Sequence, residues 1–417
     1  MENNGQPNKK SKWTIASSLM ARRTYNPIRA VVDGMKLEPN PEKELISLSI
    51  GDPTVFGNLG PSQEMKDAVK KALDSGKSNG YAPSVGYEAG RAAVAKRFSL
   101  PDLPLDSKDV VFACGCSEAL EMAILVMANP GQNVLIPKPG FSLYWTICTA
   151  YNVDTKYYRL LPERSWEVDL EHLESLIDEN TNSIVITNPS NPCGSVYSKE
   201  HLLDICEVAR RHRLPIIADE VYANMVFSNT KFYSVASLAD EIPVLTCGGL
   251  AKRFLCPGWR MGWVLMQSRT GAFHEEVRKG LFNLSTRILG PCTLIQAALP
   301  AIFDNTQPEF YSHAMEVFEE NAKLAYKTLH EVDGLTPVMP QGAMYLMCGL
   351  DSEYFRDIKD DQDFVEKLMC EESVFCLPAK VFEYPNFFRI VLSVPPEKVK
   401  IACQRIKEFC IRHKKNL

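Results

Sequence analysis

Lys252 stands where an amine can be put to chemical use. It follows a β-rich run ending at Cys247, comes just after Gly248 and Gly249, and is followed eight residues later by Arg260 in Gly258-Trp259-Arg260-Met261-Gly262. An amine that condenses with an aldehyde and a guanidinium that grips a phosphate suit this spacing. Most lysines are solvated surface groups, so it is the setting that singles this one out. Asp219 leaves the apolar run Pro215-Ile216-Ile217-Ala218 and precedes Glu220, Val221 and Tyr222. A carboxylate leaving a buried strand needs a partner, because an unpaired buried charge costs several kcal/mol. A protonated pyridine nitrogen would be such a partner, with Tyr222 donating to a phenolic oxygen on the same ring. A structural aspartate at a strand end is the alternative.

Two turns complete the constellation. Cys114-Gly115-Cys116-Ser117-Glu118 puts small residues between a strand and a helix start, where free N–H groups and the helix dipole favour a phosphate or carboxylate. Ser117 as a plain helix cap reads equally from the same residues. Asn188-Pro189-Ser190-Asn191-Pro192-Cys193-Gly194 is a stiff turn, with two prolines fixing φ and Gly194 permitting close approach. A tight loop with no ligand is its plain reading.

Separate elements must hold these groups. β-rich runs at Val110 to Ala113, Val134 to Pro137, Lys156 to Leu160, Ser183 to Thr187, Pro215 to Ala218, Val244 to Cys247 and Gly262 to Met266 alternate with helical patterns such as Glu118 to Met127 and His201 to Arg211. That alternation predicts an α/β fold, with parallel strands covered on both faces by helices. Ligands of such sheets bind beyond the carboxyl ends of the strands, where Asn191, Asp219, Tyr222 and Lys252 fall. Helical patterns from about Glu309 to Val332 and Val399 to Arg412 lead into a smaller α/β domain. The expected division is residues 1–70 joining the small domain, 71–310 the large domain and 311–417 the small C-terminal domain.

Composition narrows the function. The 46 basic and 51 acidic residues are mixed along the chain, for a net charge of −5, so nucleic acid is not an expected partner. The apolar runs are too short to cross a bilayer. Thirteen cysteines without a Cys-x-x-Cys pair argue against disulfides and zinc, which fits a reducing, cytoplasmic setting with no metal centre. Lys9, Lys10, Lys12, Arg22, Arg23 and Arg29, with only Glu2 acidic among the first 32 residues, faintly resemble a mitochondrial transit peptide. A basic tail leading into the first helix fits the same residues.

Taken together, Asn-Pro-x-Asn-Pro-x-Gly, then Ala-Asp-Glu-Val-Tyr, then Lys and Gly-x-Arg-x-Gly resemble the class I aminotransferases of pyridoxal-phosphate fold type I. Tyr25 to Arg29, Leu48 to Leu59, Asn79 to Gly86, Pro139 to Tyr144, Arg287 to Thr293, Gly342 to Met347 and Phe382 to Arg389 extend the resemblance, within that family, to the animal-type tyrosine aminotransferase subgroup. The resemblance implies a large domain with a mostly parallel seven-stranded sheet and a smaller α/β domain. It implies pyridoxal 5'-phosphate as cofactor, a homodimer, and transamination of an aromatic amino acid, L-tyrosine foremost, with 2-oxoglutarate by ping-pong kinetics.

It also implies roles for single residues. Lys252 is the Schiff-base lysine and general base, Asp219 pairs with the ring nitrogen, Asn191 and Tyr222 hold the ring oxygen, and Phe141 stacks on the ring. Cys116, Ser117 and Arg260 hold the phosphate, with Tyr81 reaching the neighbouring subunit's phosphate. Arg389 grips the substrate α-carboxylate, with Gly51, Asn191 and Asn26 beside it. Arg29 and Arg287 are candidates for the distal carboxylate of a dicarboxylic substrate. Gly249 departs from the many relatives that carry a phosphate-binding serine there, which leaves more of the phosphate to Arg260, and the resembled subgroup shares the glycine. A carbon–sulfur lyase on the same scaffold, or a silent dimeric regulator, would share most of these residues.

Overall fold

The computed structural model describes residue 13 and residues 15–34, 37–273 and 275–415. Lys9, Lys10 and Lys12 of the basic stretch lie outside the described residues, while Arg22, Arg23 and Arg29 lie in the helices Leu19–Arg23 and Pro27–Gly34. All thirteen cysteines are free thiols. Among the described residues no helix is long and apolar enough to cross a membrane.

The central strands are rich in isoleucine and valine because both of their faces are covered. Along Thr181–Thr187, Ile184 and Ile186 join the cluster that includes Leu202 and Ile205 of the helix Lys199–Arg211. Val185, pointing the other way, joins the cluster that includes Leu120 and Ile124 of the helix Cys116–Met127. Ile216 and Ile217 of the neighbouring strand Ile216–Asp219 divide between the two clusters in the same way. Each such side chain stabilises the fold by about 1.5–3 kcal/mol.

The sheet runs in the order Val110–Cys114, Met261–Gln267, Val244–Gly249, Ile216–Asp219, Thr181–Thr187, Asn133–Lys138, Asp154–Leu161 and Glu167–Val168. The five strands from Val244–Gly249 to Asp154–Leu161 pair in parallel, and Met261–Gln267 is antiparallel to both of its neighbours. Seven strands coincide with the seven expected runs. The eighth, Glu167–Val168, has two residues and closes a hairpin on the edge, too short to leave an alternating pattern.

A second, antiparallel sheet of four strands runs Leu335–Val338, Tyr345–Leu350, Phe387–Val391, Leu377–Pro378. The N-terminal segment is stitched to it. Ile46–Ser47 pairs in parallel with Val374–Phe375, the Leu48 N–H donates to Phe375 O at 2.7 Å, and the Val391 N–H donates to Leu48 O at 2.9 Å. These bonds fix the backbone just before Ser49 and Gly51, and so bring two carbonyls to the mouth of the large sheet.

Candidate active site

The helix Cys116–Met127 starts two residues after its strand ends, and Gly115 makes the turn at φ +79°, a backbone conformation that suits glycine. The first N–H groups of the helix have no partner within it. Arg260 lies over this start, donating from Nη2 to Cys114 O at 3.1 Å and from Nη1 to Pro257 O at 3.0 Å. Backbone donors, a helix dipole and a guanidinium therefore meet at one anion cradle.

Asp219 ends its strand and is buried. Its Oδ2 accepts a hydrogen bond from the Tyr144 hydroxyl at 2.6 Å, and its Oδ1 accepts from the Val221 N–H at 3.3 Å, with Cys116 Sγ at 3.7 Å. Burial pushes the carboxyl above its ordinary range, opposed first by the bond from Tyr144. A cationic ligand beside it would reverse that push.

Lys252 follows the strand Val244–Gly249, and its Nζ donates to Gly51 O, 5.8 Å from the centre of the Tyr222 ring. The Tyr222 hydroxyl shares a hydrogen bond of 2.7 Å with that of Tyr345. Arg389, only 2% exposed, donates from Nη1 to Asn191 Oδ1 at 2.7 Å and from Nη2 to Ser49 O at 2.6 Å. Its guanidinium lies 4.4 Å from the centre of the Tyr345 ring. The Nε is buried without any partner, and burial pulls the group below its usual range, opposed by the two tyrosines rather than by a carboxylate. A buried guanidinium so placed has the donor geometry and the unbalanced charge that suit a carboxylate.

These groups share one cavity of about 200 Å³. Gly51, Cys116, Ser117, Phe141, Asn191, Asp219, Tyr222, Lys252, Arg260 and Arg389 line it. Arg29 is also in the lining, bonded at 3.0 Å to Asp33, whereas Arg287 stands outside it on Tyr151 and Glu121. Asn26 is not in the lining; its Oδ1 accepts from the Arg29 N–H at 3.1 Å at the start of the helix Pro27–Gly34. Tyr81 is 91% exposed and away from the cavity of its own chain. Tyr144, Thr187, Tyr345 and Ser49 were not singled out in the sequence. They act on other residues of the site, and no local motif marks such a task.

The sequence comparison agrees with this geometry. The model of the aminotransferase class I and II family matches residues 43–406. The chain belongs to the class I and II aminotransferases. The aminotransferase is 54% identical to the tyrosine aminotransferase of Mus musculus over 405 residues, 97% of this chain and 89% of that one. It is 53% identical to that of Homo sapiens, over 97% of this chain and 89% of the other. The crystal structure of tyrosine aminotransferase from Leishmania infantum matches with a TM-score of 0.92 at 36% identity, covering 97% of this chain and all of that one.

Pyridoxal 5'-phosphate is the cofactor of this aminotransferase, and the residues present fit it. Among the described residues the cavity lining sets Arg29, Lys252, Arg260 and Arg389 against the single carboxylate Asp219, a cationic surplus that suits a phosphate and a substrate carboxylate. The donor set has an amine for an aldehyde, a helix start with an arginine for a phosphate, and a buried carboxylate for a protonated ring nitrogen.

Gly249 sits where two neighbouring backbones leave little room for a side chain. A Cβ there would lie 2.7 Å from Met261 O and 3.6 Å from Cys116 N, both backbone atoms of neighbouring elements. Gly249→Ser should therefore lower stability by about 1–3 kcal/mol through overpacking, read as a fall in melting temperature. A variant as stable as the parent would show that the strand pair accommodates a side chain there.

Proposed function

We propose that the aminotransferase moves the amino group of an aromatic amino acid, L-tyrosine foremost, to 2-oxoglutarate, giving 4-hydroxyphenylpyruvate and L-glutamate. The observation that supports it most is the convergence of Lys252, Asp219 and Arg389, which has no carboxylate partner among the described residues, on one cavity whose wall includes Ile28, Val32, Ile50, Leu120 and Phe141. An apolar wall suits a large side chain better than a small or charged one. The names of the relatives at 53–54% identity point to the same substrate.

When bound, pyridoxal phosphate supplies an electron sink for the bond broken at the substrate Cα. Cys116, Ser117 and Arg260 hold the phosphate, Asp219 keeps the ring nitrogen protonated, Asn191 and Tyr222 bind the ring oxygen, and Phe141 packs on the ring. Arg389, with Gly51 and Asn191, orients the substrate carboxylate, and Asn26 positions the Arg29 segment at the rim. The freed Lys252 amine takes the Cα proton on Nζ. Arg29, at the cavity, receives the distal carboxylate of 2-oxoglutarate in preference to Arg287.

The enzyme works as a homodimer in this reading, with the exposed Tyr81 reaching the partner's phosphate site, and in the cytosol, which suits its free thiols. The segment around Ile46–Ser47 acts with the C-terminal small domain in this reading, supported by its pairing with Val374–Phe375, whereas the helices Leu19–Arg23 and Gln63–Asp74 pack on the large-domain helices Leu143–Ala150 and Thr293–Asn305.

Purified enzyme supplied with 2-oxoglutarate should use L-tyrosine with a kcat/KM at least about tenfold above that for L-alanine, the discrimination an apolar pocket can give. Preference for alanine, or release of pyruvate and thiol from a cysteine conjugate without added keto acid, would redirect the assignment.

A further inference from the structure

We propose that Tyr144 is a positioning residue for the reaction, its phenol oriented by Thr187 so that it donates to Asp219 and holds that carboxylate ionised and aimed at the cofactor's ring nitrogen. The inference rests on Asp219 being the partner of that nitrogen.

The direction of the bonds follows from the number of hydrogens. A phenol has one proton, and an ionised Asp219 can only accept, so Tyr144 donates to Oδ2 at 2.6 Å. Thr187 must then donate to the Tyr144 oxygen, at 2.8 Å. The first distance lies in the range of strong O–H···O⁻ bonds. Thr187 and Asp219 are register partners on adjacent parallel strands, and Tyr144 reaches both from the helix Leu143–Ala150. The triangle is thus anchored by a strand ladder, and all three side chains are buried.

The other groups around Asp219 cannot replace this donor. Cys116 offers a weak thiol at 3.7 Å, and the Val221 N–H is at 3.3 Å. Cys247, Glu220 and Tyr222 lie near it, and the Lys252 charge acts on it from across the cavity. Burial, then the Asp219 charge, pushes the Tyr144 phenol well above its ordinary range, so it stays a donor at every working pH. With the cofactor bound, Asp219 and the ring nitrogen would share one proton. Each bond donated to the carboxylate lowers its claim on that proton.

The test compares holoenzyme and reconstituted apoenzyme of the parent, Tyr144→Phe, Thr187→Val and Asp219→Asn. It reads cofactor affinity, nitrogen NMR of isotopically labelled cofactor, and steady-state kinetics. Tyr144→Phe should weaken cofactor binding about tenfold and lower kcat about 10- to 100-fold. The ring-nitrogen signal should move toward the unprotonated position, while KM for 2-oxoglutarate changes less than about twofold because Arg389 is untouched. Thr187→Val should shift each readout the same way by less, since Tyr144 still donates; if Tyr144→Phe does not fold, this variant decides.

Unchanged affinity and nitrogen signal in Tyr144→Phe, or in a deciding Thr187→Val, with both disturbed in Asp219→Asn, would overturn the role of Tyr144. If Asp219→Asn also leaves both unchanged, the assignment of Asp219 itself fails, and this inference with it.

Discussion

Lys252→Ala should leave a folded protein whose turnover is lower by about 10⁴-fold or more, the upper range for removing a positioned acid–base group that also serves as the covalent attachment point. Lys252 is the only lysine among the described residues that line the cavity; the other cationic side chains there are arginines, which have no amine to take up the Cα proton. The bond lost to Gly51 O is a single hydrogen bond from a partly exposed group, worth about 1 kcal/mol, so the melting temperature should move by only a few degrees. Single-turnover absorbance measurements with tyrosine, beside thermal denaturation, separate the two effects. A small primary amine added to the variant should restore part of the rate. A variant that is folded and near-normal in rate would place the base elsewhere.

Arg389→Leu should lower kcat/KM by about 30-fold to several thousandfold, the range for truncating one partner of a buried charge pair. Tyrosine and 2-oxoglutarate should be affected alike, because each presents an α-carboxylate to the same guanidinium. Stability should respond differently. Among the described residues Arg389 has no carboxylate partner, so leucine removes an unpaired buried charge even as it strands Asn191 Oδ1 and Ser49 O. The two effects oppose each other, and the melting temperature should stay within about five degrees of the parent. If activity falls only with the dicarboxylic substrate, Arg389 reads the distal carboxylate, and the α-carboxylate partner must be sought at Arg29.

The sequence made the large sheet readable because its strands are covered on both faces. Runs such as Ser183 to Thr187 are continuous and β-branched, and the observed strands Thr181–Thr187 and Ile216–Asp219 differ from the expected ones by at most two residues at an end. Helix bounds followed the same logic: Pro308–His330 and Pro396–His413 were marked by apolar periodicity. The pairing of Ile46–Ser47 with Val374–Phe375 left no such mark, since two residues cannot show alternation and the partners are more than 300 positions apart.

In the site, residues at strand ends and in Gly/Pro turns were legible because the chain must do something unusual there: Lys252 after its glycines, Asp219 at the end of an apolar run, Asn191 between prolines. Tyr144 and Tyr345 were not, because each looks like an ordinary aromatic in an apolar helix or strand. Only the fold puts the Tyr144 hydroxyl against Asp219, 75 positions away in the chain, and the Tyr345 hydroxyl against Tyr222. Arg29 and Arg287 could not be ranked from the sequence; only the fold puts the helix Pro27–Gly34 at the cavity and the turn with Arg287 outside its lining.

The most direct test of the account is to reduce the purified holoenzyme with borohydride, digest it, and locate the cofactor by mass spectrometry. The protein should be yellow before reduction and lose that absorbance afterwards, with the cofactor's mass on the peptide that contains Lys252 and on no other. Recovery of the label on a different lysine, or no label at all from a protein saturated with cofactor, would contradict the account at its centre.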